Sequence, residues 1–455
     1  MAEMNLKQII DRLNAEFTGD TRKLVFWYDD NGEFVEDMQN VTLDNAKVYF
    51  LQPDNQFATK LFLERQDTTT NYLVYAPFPK PDVRDNHLED TLLYSKRFFA
   101  DRASLLSVDL GIDEKYKPII EKHIKFFASK ERTQRFYDLE IENFNEENII
   151  IGLLSAICRT RTCSFEEVIR VMLTDSTLED NKFLLETEKY GLLGDFWKLC
   201  EQHFGYADVK PTLEKLVVTM FVTYTAKYVP SELPKPWKAF SSYKAGNIIA
   251  FMDNLMNNIL YRSRYDELSV HVATGLNAQT VFSDYPPEDL VNCDTFAVID
   301  QILIKWLVER LVAEDTGAKL DELTIPQLCE KRSKMHFGEK AGSRYQMLSS
   351  AYQMIQAGNY HCPDSFKDIL RQYQETDSGL DYEYRRFYTA YDQIEDTTAF
   401  EPLRDLVENI YTNEYLETLL PKWNSAMQEP DAFTQLPLQR DFYARNIKNA
   451  KERTV

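Results

Sequence analysis

The sequence predicts an α/β N-terminal domain, a small parallel sheet flanked by helices, followed by a large all-α region. Two patterns predict it. Leu24-Val25-Phe26-Trp27-Tyr28 is an unbroken apolar run closed by Asp29-Asp30 and an Asn31-Gly32 turn, the pattern of a strand buried on both faces. Similar runs recur at 46–51, ahead of Pro53-Asp54, and at 72–75, ahead of Ala76-Pro77, and between them Phe57, Leu61 and Phe62 fall at helical spacing. Strands that alternate with helices need crossover connections, and so a parallel sheet.

Taken in order, Leu6, Ile9, Ile10, Leu13 and Phe17 form the apolar stripe of an opening helix that Gly19 ends. After the strands, Leu88, Leu92, Leu93, Phe98 and Phe99 predict a helix over 86–102, and 104–109 reads as a fourth strand. Beyond Ile112 amphipathic helices take over, at 116–128, 145–159, 164–173, 194–204 and 212–229. The proline-punctuated stretch 230–236 cannot continue a helix and marks a boundary. Helical patterns resume at 243–261, 295–314, 342–357, 365–375, 381–394 and 411–426. The expected domains are therefore a Rossmann-like or receiver-like 1–112, a helical 113–229 and a second helical 237–455.

The chain of 455 residues is too long for one core. Its 44% apolar content excludes a disordered chain, and 28 Phe and 26 Tyr against 14 Gly point to helices with aromatic seams. A net charge of −21 argues against coating nucleic acid and favours basic protein partners. Cys158, Cys163, Cys200, Cys293, Cys329 and Cys362 are scattered without framework spacing, as reduced thiols of a cytoplasmic protein would be. The N-terminus has no signal-peptide pattern, and the most apolar stretch, 296–312, carries Asp300, Lys305, Glu309 and Arg310, so no membrane span is expected.

Asp29 and Asp30 stand where ligands gather in parallel sheets, at the carboxyl end of a strand, and could hold a divalent cation. The plainer reading is a turn after a strand, since adjacent strand residues point opposite ways. Phosphate cradles are missing: in Gly338-Glu339-Lys340-Ala341-Gly342-Ser343 the lysine precedes the second glycine, which is not the P-loop order. Cys329, His336, His361 and Cys362 would need tertiary folding to meet at a metal, and no CxxC, HExxH or GxSxG occurs. Lys122, Lys125, Ser129 and Arg132 lie opposite Ile120, Ile124 and Phe127; residues 113–137 carry seven Lys/Arg against four Asp/Glu. Such a face suits phosphates or an acidic partner, or simply solvent. Tyr384, Phe387, Tyr388 and Tyr391 make a helical stripe that suits either a partner or an internal seam.

Several stretches together resemble one family. They are Arg22-Lys23-Leu24-Val25-Phe26-Trp27-Tyr28-Asp29-Asp30-Asn31-Gly32-Glu33-Phe34, Ala76-Pro77-Phe78-Pro79-Lys80-Pro81 leading into His87-Leu88, Phe127-Ala128-Ser129-Lys130-Glu131-Arg132-Thr133-Gln134-Arg135-Phe136, and Gly152-Leu153-Leu154-Ser155-Ala156. Across nearly its whole length the chain is similar to the N-terminal half of the PglZ family, the alkaline-phosphatase-superfamily phosphatases of type 1 BREX phage-defence systems. In that family the chemistry belongs to a later domain, entered by a strand ending in Ser-Asp and an Ala-Leu-Arg-Tyr run, with metal-binding Asp and His residues beyond. Glu452-Arg453-Thr454-Val455 resembles the threshold of that strand, and no residue here matches the catalytic motif.

The resemblance thus implies a non-catalytic protein-interaction region, with no cofactor of its own and a divalent metal, zinc, in the absent phosphatase domain. It implies as partners other BREX components: an accessory protein, a DNA methyltransferase and a large ATPase. Tight duplex DNA binding and membrane association are not expected. The alternative is a metal-dependent phosphoryl-handling domain using Asp29 and Asp30. The expected partner surface is Tyr384, Phe387, Tyr388 and Tyr391.

Overall fold

In the computed structural model of the protein, which describes residues 2–100, 102–175, 177–429, 432 and 439–448, the apolar runs become strands. They are β1 (Leu24–Tyr28), β2 (Lys47–Phe50), β3 (Tyr72–Ala76) and β4 (Lys96–Arg97). All pair in parallel in the order β2-β3-β1-β4, with Phe26 beside Val74 and Trp27 beside Tyr75. β1 is an inner strand, and alternation sends its side chains to two cores. Val25 and Trp27 pack with Ile9, Leu13 and Phe17 of the opening segment and with Phe34, Met38 and Phe98. Phe26 faces the other way, against Leu51, Leu63, Val74, Leu88 and Leu92. Trp27 sits among three rings, its centroid 4.9 Å from that of Phe34, 5.0 Å from Phe98 and 5.3 Å from Tyr75.

The expected fourth strand at 104–109 is a helix, Arg102–Leu110, with Ala103 and Leu106 buried three residues apart. The fourth strand is instead β4, inside the stretch expected to be one helix over 86–102; only Glu89–Leu93 is helical there. β4 is two charged, exposed residues on a sheet edge. Natural edge strands are often short and charged, which discourages pairing with another chain, and such a strand has no apolar run to betray it. The helix expected over 116–128 stops at Lys122. The turns that follow bury both Phe126 and Phe127, their rings edge to face at 5.2 Å.

Most of the other expected helices form within a few residues of expectation, and Lys130–Tyr137, Arg262–Gly275 and Ile325–Ser333 are helices where none was expected. Glu146–Cys158 is buried from Ile149 through Cys158, as a helix that is apolar on every side must be. Asn145 caps it by accepting from the Asn148 amide. Phe366–Gln372 runs through a π turn, Tyr373–Asp377, into Ser378–Tyr391, so two expected helices are one interrupted rod. Pro234 is the N-cap of Lys235–Lys238.

The chain divides into two compact units. The first comprises Met1–Leu216 with Ser242–Arg264 and holds the sheet; the second comprises Val217–Ser241 with Tyr265–Val455. The second unit is helical apart from a short hairpin, Lys319–Leu320 with Leu323–Thr324. There Gly342–Gln356 packs along Ser378–Tyr391, Ile325–Ser333 and Ala297–Val312.

Phe26 is fully buried, and Phe26→Ala should cost about 3–5 kcal/mol. Urea unfolding followed by tryptophan fluorescence checks this; a loss below about 1 kcal/mol would contradict the packing described.

Candidate functional site

The carboxyl edge of the sheet is where an α/β fold presents ligands, and Asp29 stands there at 5% exposure. Its amide donates to Ala76 O at 2.8 Å and its carbonyl accepts from Gly32 N at 3.0 Å. Its Oδ2 accepts from Phe34 N at 2.8 Å and from Tyr75 Oη at 2.5 Å. Gly32 has φ +65°, a conformation that favours glycine. Asp29 thus closes the 29–34 turn onto the sheet. Asp30 is exposed and lines a separate hollow of about 240 Å³ with Phe26, Tyr28, Lys80 and Arg97. Lys80 is already paired with Glu89 at 2.9 Å. The two carboxylates are not brought together, and among the described residues no group of three His, Cys, Asp or Glu could hold a metal ion. A resident divalent cation does not fit these side chains.

The second unit encloses a larger polar constellation. Arg332 is completely buried. Its Nε and Nη2 donate to Asp300 Oδ1 at 2.9 Å and Oδ2 at 2.8 Å, and its Nη1 donates to Cys293 O at 2.7 Å. Tyr345 Oη donates to Asp300 Oδ1 at 2.5 Å. Asp294 lies 3.7 Å from Arg332 and accepts from the amides of His336 and Phe337, at 2.5 and 3.1 Å. Burial raises the Asp294 carboxyl above its ordinary range, against the pull of Arg332. Burial opposes the charge on Arg332, while Asp300, with Tyr345 and Asp294, favours it by more, so the guanidinium titrates higher than usual. At Gly338 a Cβ would lie 1.8 Å from Arg332 O, so only glycine lets the two segments meet.

Beside this cluster opens a cavity of about 780 Å³, lined by Ile304, Phe337 and Phe400 and by Lys305, Arg344 and Glu309. The lining can bind; it presents no activated nucleophile.

Cys329, His336, His361 and Cys362 make no metal-holding group among the described residues. His336 Nε2 contacts Asp266 Oδ1 at 2.5 Å, Cys329 is buried with its thiol pushed up to about 12 by desolvation, and His361 is exposed. The Gly338–Ser343 motif lies across the end of His336–Lys340 and the start of Gly342–Gln356.

The aromatic stripe lies along Ser378–Tyr391. Phe387 and Tyr391 are buried, and Tyr384 and Tyr388 are half-buried. Both half-buried hydroxyls donate to Glu408 Oε2 at 2.8 Å, and Tyr384 stacks on Tyr411 with ring centroids 3.7 Å apart. Tyr373 and Tyr411 share Asp381 in the same way, at 2.8 Å each. Much of the stripe is therefore packed within its own unit, with the edges of Tyr384 and Tyr388 at the surface.

Sequence reasoning registered Asp300 only as a charge in an apolar stretch and did not single out Arg332, Asp294 or Tyr345. Their sole signal is ionisable residues inside apolar patterns, such as Asp300 between Ile299 and Leu303.

The chain is similar to two curated proteins over nearly all its length. It is 32% identical over 436 residues to the alkaline phosphatase-like protein PglZ of Bacillus cereus, a match covering 93% of this chain and 51% of that protein. It is 25% identical over 474 residues to the alkaline phosphatase-like protein BrxZ of Escherichia coli, covering 98% of this chain and 54% of that protein. The chain spans about half the length of these relatives. No family model matches, nor does any solved structure. No helix among the described residues is long and apolar enough to cross a membrane.

Two outcomes follow from the polar networks. Asp300→Asn leaves Arg332 buried without its carboxylate and should destabilise the second unit by about 3–5 kcal/mol; the Asp300→Leu, Arg332→Met pair should recover much of that loss in urea unfolding. Glu408 is held below its ordinary 4.5 chiefly by the Tyr384 and Tyr388 hydroxyls. A depressed carboxyl stabilises the fold above its unfolded pKa, and the contribution is lost as pH falls below 4.5. Tyr384→Phe with Tyr388→Phe should bring the Glu408 carboxyl resonance back toward 4.5 in an NMR titration; an unchanged midpoint would refute the assignment.

Proposed function

We propose, on the premise that this chain belongs with the PglZ-type alkaline phosphatase-like proteins it matches over nearly its whole length, that it is their non-catalytic, protein-binding part. Its role on this reading is to hold other components of a BREX phage-defence system. The observation that carries the reading is the commitment of its candidate chemical groups to internal partners. Asp29 is held by Phe34 and Tyr75, Asp300 by Arg332 and Tyr345, Asp294 by two amides, and His336 by Asp266. A phosphatase of the alkaline type needs a nucleophile poised between metal ions that clamp the attacking and leaving oxygens. The described residues offer a scaffold and surfaces instead. The metal, zinc on this reading, belongs to the catalytic part of the whole protein.

Partners in this proposal are an accessory protein, the DNA methyltransferase and the large ATPase. The surfaces suited to them are the outer edge of Tyr384 and Tyr388 and the rim of the sheet, where aromatic area meets a polar border. With 52 basic and 73 acidic residues, the chain's field repels polyanions. Tight association with duplex DNA at physiological salt does not accord with that field.

Co-purification of this chain with each purified BREX component tests the proposal. One should be retained, and Tyr388→Ala should weaken it by about tenfold or more if that edge is the contact. Retention of none, with sub-micromolar binding to random duplex, would overturn it. The chain should also leave a generic phosphomonoester at background with or without zinc; turnover abolished by Asp29→Asn would restore the metal-dependent phosphoryl-handling reading.

A further inference from the structure

The basic face that the sequence singles out is not a simple solvated stripe. Lys122 leaves it to pair with Asp195 at 2.7 Å. Lys125 and Arg132 remain, and a third cation, Lys189, joins them from the last turn of another helix, Lys182–Lys189. All three line one concavity of about 370 Å³, together with Ile124, Tyr190 and Asn31. Asn31 belongs to the turn that Asp29 builds at the end of β1, so the hollow lies against the carboxyl edge of the sheet. Glu33 is the one acidic residue in the lining, and it already accepts from Asn31 Nδ2 at 3.2 Å.

Arg132 is fixed before any ligand arrives. Its Nε donates to Phe126 O at 2.9 Å and its Nη2 to Lys125 O at 3.3 Å. The guanidinium carbon lies 4.6 Å from the centroid of Tyr190 and 5.9 Å from that of Phe126. A guanidinium has five N–H donors, so the tether leaves donors on a plane whose orientation is set. Lys125 and Lys189 make no ion pair among the described residues. Three cations therefore converge from separate segments on one hollow in a chain whose net charge is −21. Like charges are costly to gather, and a bound anion offsets that cost.

We propose that this concavity binds a phosphate group carried by a small molecule. A planar donor fork with two ammonium groups matches a tetrahedral dianion in both charge and hydrogen bonding. The volume lies at the low end of small-molecule sites, so the ligand is a phosphate or a compact phosphate monoester. Three cations make too few contacts for a polynucleotide backbone at physiological salt.

Calorimetric titration of the full chain with inorganic phosphate, adenosine 5′-monophosphate and adenosine tests the site. One of the two phosphate-bearing probes should bind at one equivalent while adenosine does not, and affinity should fall as salt rises. Equal affinity for both assigns the site to the phosphate alone; tighter adenosine 5′-monophosphate assigns it to a nucleotide. Lys125→Gln with Lys189→Gln, both at exposed positions outside the core, should weaken binding about tenfold or more. Lys122→Gln, outside the hollow, should leave binding unchanged. Arg132→Gln should abolish it, with circular dichroism confirming that the variant is folded. Absence of binding at about 1 mM probe, or binding that Lys125→Gln with Lys189→Gln leaves intact, would overturn the proposal.

Discussion

A strand buried on both faces carries its backbone through the core, and that constraint shapes the first unit. β1 needs apolar cover above and below, and the polar chain leaving it must find partners at once. Asp29 provides them with one side chain, accepting from the amide that begins the next segment and from the hydroxyl of the neighbouring strand. Removing that acceptor would strand two buried donors, each costing about 1–3 kcal/mol. The same residue type that suggests metal chemistry at a sheet edge is here the fastener of the edge itself.

The second unit meets the same constraint with a full charge. Arg332 is tolerable in the interior only because Asp300 matches its fork and a backbone carbonyl takes a further donor. A buried pair of this kind contributes little net stability yet is expensive to break. It joins Ala297–Val312 to Ile325–Ser333, and Tyr345 ties in a third helix through the same carboxylate.

What the sequence made legible follows the physics of each element. β1 and β3 were readable because burial on both faces writes an apolar run into the chain. β4 was not, because an edge strand such as Lys96–Arg97 satisfies its neighbour through backbone alone. The helix expected to reach residue 128 was misjudged because Ile120, Ile124 and Phe127 keep helical spacing even where the chain turns. At Tyr384 and Tyr388 the stripe was plain, but spacing cannot distinguish an internal neighbour such as Glu408 from an external one. Arg332 and Asp300 stand 32 residues apart, and nothing local couples them. Lys189 joins Lys125 and Arg132 only through tertiary structure, so the sequence showed a basic face and not a basic hollow.

The shared carboxylates of the second unit also give it an optical signature. Tyr384 is pushed up to about 12, by burial first and by Glu408 next, and Tyr411 is raised by burial and by Asp381. A phenol whose folded pKa exceeds its unfolded one contributes its full stabilisation below the unfolded value of 10.0 and loses it as pH rises through the folded value. In base these rings give up their protons later than exposed tyrosines do. Their phenolate absorbance therefore belongs to the late part of an alkaline ultraviolet titration, after the exposed phenols, and an early rise there would mean that the seam had opened.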